Sequence, residues 1–170
     1  MSNKIGHLTP KYVKPAIDGK IDSPDNSFDL ITCFGTLHHI PNVSFVISEF
    51  TRVIKPGGII LLREPVNSMG DWTKPRPGLT KNERGIPPKI FDSIIKSNNL
   101  KIVSKNYCLT MTSALQRTIG NFFKKPLHYY KSYLFIDMIL SKLFAWNFYY
   151  HPTKMSQRIG PTSIFYLLQK

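Results

Sequence analysis

Glycine-rich turns, cysteine and, in one half, acid are sparse in this chain, and each shortage narrows the functions it can carry alone. The ten glycines include no Gly-x-Gly, so no segment offers the glycine-rich turn that cradles a nucleotide-type cofactor. Two cysteines, Cys33 and Cys108, are too few for a disulfide scaffold and fit a reducing compartment. No Cys-x-x-Cys or His-x-x-x-His occurs. The adjacent His38 and His39 would point about 100° apart on one helix, so no metal site is expected. The first residues, Met1 to Leu8, lack the apolar core of a signal peptide, which makes a cytoplasmic protein the expectation.

Acid is scarce in one half only. Residues 93–170 carry 11 Lys and Arg against the single acid Asp137, a net +10, whereas residues 1–92 carry 12 against 9, a net +3. A basic, aromatic-rich half can meet nucleic acid, an anionic membrane surface or a phosphorylated substrate. The sequence shows neither a nucleic-acid motif nor a contiguous basic patch, so a solvated basic face is the plainer reading and nucleic acid is not an expected partner. Within this half, the aromatic stretch from Pro126 to Tyr150 is interrupted by Lys131, Asp137 and Lys142. It never reaches the roughly 18 uncharged apolar residues of a membrane span. It reads as one long helix or a broken pair. Its aromatics face a core or dimer partner as a cap, which is the favoured reading, or else rest at a membrane interface or line an apolar substrate pocket.

What is present reads as one domain: 170 residues, 42% of them hydrophobic, can bury a core. Pro24-Asp-Asn-Ser27 is a cluster of turn formers, and the largely apolar run Phe28–Phe34, broken by Asp29, suits a strand covered on both faces. Beyond Pro41, the residues Val43, Val46, Ile47, Phe50, Val53 and Ile54 recur at helical spacing, with Asn42 placed as N-cap. Arg52 and Lys55 suit the negative end of that helix, and Pro56-Gly57-Gly58 stops it. Ile59–Leu62 is a second short strand. Strand, helix and strand in this order predict a right-handed crossover in a parallel sheet. The loop bearing His38 and His39 then falls at the carboxyl end of the first strand, where open α/β sheets bind ligands.

From Asp71 to Pro88, four prolines and two glycines exclude a long helix or strand and leave a lid or an ordinary surface loop. Trp72, Arg76 and Arg84 give it an aromatic face and two guanidinium forks suited to carboxylate or phosphate. A helix follows through Ile90, Phe91, Ile94 and Ile95, ending near Asn98-Asn99. Leu100–Tyr107 alternates as a strand.

Three blocks, Ser27-Phe-Asp-Leu-Ile31, Leu37-His-His-Ile-Pro-Asn42 and Arg52-Val-Ile-Lys-Pro-Gly-Gly58, stand in order and spacing. From about Pro24 to Pro65 the chain resembles the second half of the catalytic domain of class I S-adenosylmethionine-dependent methyltransferases, small-molecule type (type 11-like). Ser163–Gln169 resembles that fold's closing antiparallel strand. The resemblance implies an α/β, Rossmann-like methyltransferase sheet. About twenty residues precede Pro24, too few for two β-α units of roughly thirty residues each. The expectation is therefore an N-terminally truncated domain. It is either a split or shortened product or an intact protein without the usual cofactor cradle. Its parts would be the motif region (22–66), the Pro/Gly-rich loop (67–89), a helical cap (108–158) inserted before the last strand, and that strand (162–169).

The resemblance also implies roles. Cys33, Phe34, Gly35 and Thr36 would lie along the methionine and adenosine side of S-adenosylmethionine, and Asp18 would hold the place of an acid near the adenine. His38 would face the methyl acceptor as a proton acceptor, with His39 beside it at the start of the helix. The plain alternative has both imidazoles bonded to backbone at a helix entry. Arg63 and Glu64 would touch substrate or pair with each other. The expected activity is methyl transfer to a small molecule, conditional on a cofactor-binding half supplied by a longer chain, a complementing partner or a homodimer. The rival is a silent remnant acting as an interaction module through its basic aromatic half, and peripheral membrane contact is compatible with either.

Overall fold

The computed structural model describes residues 12–170, except 15, 72, 81, 82 and 111. Four strands form one sheet: β1 (Phe28–Phe34), β2 (Ile54–Pro65), β3 (Lys101–Cys108) and β4 (Ser163–Gln169), in the order β1-β2-β4-β3. β1 and β2 are parallel, joined by α1 (Val43–Val53), as the strand–helix–strand pattern requires. β4 runs antiparallel to both neighbours. The closing strand therefore lies inside the sheet, between β2 and β3.

Helices α1 and α2 (Pro88–Ser97) close the core. Val46, Ile47, Phe50 and Val53 of α1 and Phe91 and Ile95 of α2 are buried with Ile60, Leu62, Ile164, Tyr166 and Leu168 of the sheet. Each such side chain contributes about 1.5–3 kcal/mol by leaving water. The Phe91 ring meets Tyr166 edge-on at 5.2 Å, and the Tyr166 hydroxyl donates to Asp92 at 2.8 Å.

Three local expectations are corrected. β1 was expected to be covered on both faces, yet Cys33 alone is buried in it, and Phe28, Leu30 and Phe34 are 39%, 54% and 47% exposed. The reason is topological: among the described residues only β2 pairs with it, so its outer edge is open. β2 begins at Ile54 and not at Ile59. The pairing jumps from Phe28↔Ile54 to Leu30↔Ile59, so Lys55–Gly58 bulges out of an already extended chain. Asn42 occupies the N-cap position but its side chain makes no capping bond.

Arg52 is no mere dipole partner. Its guanidinium donates to Glu49, to Asp25 and to the carbonyls of Ile21 and Ser23, clamping the segment before β1 onto α1. The bond from Arg52, joined by the Ile21 N–H, pulls the Glu49 carboxyl down to about 2.

Between β3 and β4 lies the inserted cap: α3 (Thr112–Thr118), α4 (Lys131–Leu143) and short 3₁₀ turns at Gly120–Phe122, Leu127–Tyr129, Ala145–Asn147 and Ser156–Ile159. The aromatic stretch is thus one helix between turns. Among the described residues no helix is long and apolar enough to cross a membrane.

Candidate active site

The turn after β1 is shaped by an acid on the next strand. Glu64, fully buried on β2, accepts the backbone N–H groups of Thr36 (2.9 Å), Leu37 (3.0 Å) and His38 (3.3 Å). Its Oε2 also lies 2.9 Å from Nδ1 of His38. These N–H groups open the 3₁₀ turn Leu37–His39 and have no partner within it, so a carboxylate at that end satisfies them and suits the local dipole. Leu37, wholly buried, anchors the turn in the core. Gly35 enters it at φ +63°, and a Cβ there would stand 3.0 Å from Nη2 of Arg63. Both facts make a side chain costly at this position.

The two residues ending β2 therefore play different parts. Neighbours on a strand point to opposite faces, and Arg63 and Glu64 do not pair. Glu64 is enclosed and positions the histidine turn, with no face left for substrate. Arg63 is half-buried beside Gly35. Among the described residues no hydrogen bond or ion pair holds its guanidinium, which leaves it able to grip an anionic group. Cys33 is buried beneath the turn, where burial first and the Glu64 charge second push its thiol up to about 11.

A residue that sequence reasoning missed completes the cluster. Glu83, buried in the loop after β2, places Oε1 3.7 Å from Nε2 of His38 and Oε2 3.5 Å from Nδ1 of His39. The N–H of Thr80 holds this carboxyl below its ordinary range, with help from His39 and His38 against the opposing effect of burial. The two imidazoles stand 4.0 Å apart between centroids, His38 buried and His39 exposed. The available signal was thin: Asp71 and Glu83 are the only acids from 67 to 89, and loops carry no periodicity that would aim one of them.

The other predicted residues are placed as follows. Arg76 directs its guanidinium to the carbonyls of Glu83 (2.7 Å), Thr80 (3.2 Å) and Met69 (3.4 Å), so it stitches the loop that presents Glu83. The Arg84 N–H donates to the His38 carbonyl at 3.4 Å, while its side chain is exposed. Gly85 lies so close to the backbone of Asn67 that no Cβ fits, which ties the loop to the end of β2. Phe34 and Thr36 are exposed at the strand end. Asp18 is exposed and accepts the Lys20 N–H at 2.9 Å, and no hydrogen bond or ion pair joins it to the Cys33–Thr36 segment. Trp72 lies outside the described residues.

Chemically, the cluster suits two tasks. His38, with Nδ1 fixed by Glu64, offers Nε2 for proton transfer. Alternatively, one ligand atom each from His38, His39 and Glu83 lie within 4.8 Å of one another. A tetrahedral ion with bonds near 2.1 Å wants its ligands about 3.4 Å apart, so small side-chain shifts would admit a divalent cation. The expectation of no metal site rested on the two adjacent histidines alone, whereas the fold brings Glu83, 45 positions after His38, to them as a third donor.

The cofactor implied by the resemblance fits these residues in part. The open backbone at Gly35 and the exposed Thr36 would form one wall at the strand end. The described residues contain no glycine-rich turn, and none pairs with the outer edge of β1 to form the opposite wall.

Comparison with known proteins points to the same fold. Residues 3–62 match a family model described as "Methyltransferase domain". A ubiquinone biosynthesis O-methyltransferase of Methylococcus capsulatus is 36% identical over 53 residues, 31% of this chain and 22% of the relative. The match thus spans about a fifth of that relative's length. Among solved structures, a putative methyltransferase from Bacillus halodurans superposes with a TM-score of 0.56 at 19% identity, covering 97% of this chain and 73% of the other. The [4+2]-cyclase SpnF superposes at 0.52 and 14% identity, covering 91% and 55%. At these identities the superpositions speak for the fold. Over residues 3–62 the sequence is thus similar to a methyltransferase domain, and the sheet has the Rossmann-like fold of S-adenosylmethionine-dependent methyltransferases.

Proposed function

We propose that this chain forms the acceptor side of an active site that methylates a small molecule with S-adenosylmethionine. The carrying observation is His38: it stands at the carboxyl end of β1, buried, with Nδ1 held 2.9 Å from Glu64 and Nε2 turned to the loop. The cofactor, when bound, supplies an already activated methyl group, so the protein's remaining work is alignment and exclusion of water. His38 Nε2 accepts the proton of an oxygen or nitrogen acceptor, and Glu64 fixes the tautomer that leaves that nitrogen unprotonated. Arg63 orients an anionic group of the acceptor. The loop carrying Glu83 shields the site. The O-methyltransferase named among the relatives supports an oxygen acceptor. Within this reading the protein works in the cytoplasm, in keeping with its two free cysteines.

Activity is conditional on the wall that the described residues do not supply, whether it comes from the same polypeptide, a partner or a second copy. Calorimetric titration with S-adenosylhomocysteine tests this. Micromolar binding supports the enzyme, and no detectable heat at high concentration sinks it for this chain alone. In a competent assembly, His38→Gln lowers methyl transfer about 10²- to 10⁴-fold and leaves S-adenosylhomocysteine binding intact. The open edge of β1 favours the rival reading, a silent interaction module, which requires the titration to be blank.

A further inference from the structure

Helix α4 is inside out. Asp137 and Ser141, its two buried residues, are polar, whereas Leu134, Phe135, Ile136, Met138, Ile139 and Leu143 are 45–61% exposed. The polar stripe is bonded to the segment after β3. Asp137 accepts the Leu109 N–H at 2.8 Å and the Thr112 hydroxyl at 3.2 Å, Ser141 shares a hydrogen bond with Thr110 at 2.8 Å, and Tyr133 donates to Thr112 at 2.7 Å. This network fixes which face points outward, and it is the apolar one. The cap reading of the aromatic stretch as a core-facing element is overturned at these residues.

Exposed Lys124, Lys125, Lys131 and Lys142 lie beside this face in the chain, and Trp146 at 78% exposure follows it. The single acid of residues 93–170, Asp137, is turned inward, so that region shows no acid to solvent. Thirteen residues make a helix about 20 Å long, too short to span a bilayer. We propose that α4 lies flat on an anionic lipid bilayer, its apolar face among the acyl chains and its lysines at the headgroups. Charge selects this occupant over a second copy of the chain, because pairing two such faces would bring two strongly cationic halves together.

The test is flotation of the full chain with vesicles of phosphatidylcholine alone and with phosphatidylglycerol added. A Trp72→Phe background leaves Trp146 as the fluorescent reporter. Binding is expected only with phosphatidylglycerol, weakened by salt, with a blue shift of Trp146. Phe135→Ser lowers the partition coefficient about tenfold, and Lys131→Ala or Lys142→Ala about fivefold each. All three side chains are exposed, and unchanged circular dichroism confirms that the variants fold. No binding to anionic vesicles overturns the proposal, as does equal binding to both vesicles that salt does not weaken. A dimer abolished by Phe135→Ser would give the face to a second copy and overturn it as well.

Discussion

β1 and β4 are seven-residue apolar strands of the same sheet, and they meet opposite fates. In β4, Ser163, Ile164, Tyr166 and Leu168 are buried between two paired neighbours. In β1 only Cys33 is buried, and one edge is unpaired among the described residues. Apolar composition records what a strand can bury, whereas the sheet order decides what it does bury. The chain thus has a closed side that carries stability and an open side that carries the candidate site.

The sharpest way to break this contrast is truncation on each side. Phe91→Ala, against Tyr166, is expected to cost about 3–5 kcal/mol in denaturant unfolding, whereas Leu30→Ala on β1 costs under about 1 kcal/mol. Equal losses would mean that β1 is covered in solution. Next in size is Glu64→Ala, expected to cost about 2–4 kcal/mol, because three N–H groups and the His38 ring lose a buried acceptor. A spectroscopic probe of the histidine turn should report its disorder while the β4 side stays protected from hydrogen exchange.

A smaller effect comes from acid. The folded Glu49 carboxyl titrates at about 2, below its ordinary 4.5. Its contribution is therefore present above pH 4.5 and is lost as pH falls towards 2. Glu49→Gln removes that part of the acid dependence, and unfolding curves across this window measure it. Smallest is thiol reactivity. Burial pushes Cys33 up to about 11 and Cys108 up to about 12, so at pH 8 both should react slowly with an aromatic disulfide and promptly in denaturant. A fast Cys33 with a slow Cys108 would show the open side breathing.

Much of this was legible in advance. The β1–α1–β2 unit, α2, β3 and the closing strand follow from periodicity and turn residues, and the His38 turn falls where the strand–loop–helix pattern puts it. The illegible parts rest on distant pairings. Glu64 read as a substrate residue because nothing local shows that its carboxylate meets N–H groups 26 to 28 positions earlier. Glu83 sits in a loop without period. The outward face of α4 could not be assigned, since the hydrogen bonds of Asp137 and Ser141 that orient the helix run to residues 25 to 31 positions before them.

The interior place of β4 also bears on how the protein is made. Because β2 and β3 are joined only through a strand that follows both in sequence, a nascent chain leaving the ribosome holds a β1–β2 pair and an unpaired β3, both with exposed edges, until residues 163–169 emerge. Assembly of the sheet must then wait for the last described strand, and a growing chain in that interval is a natural client for chaperones.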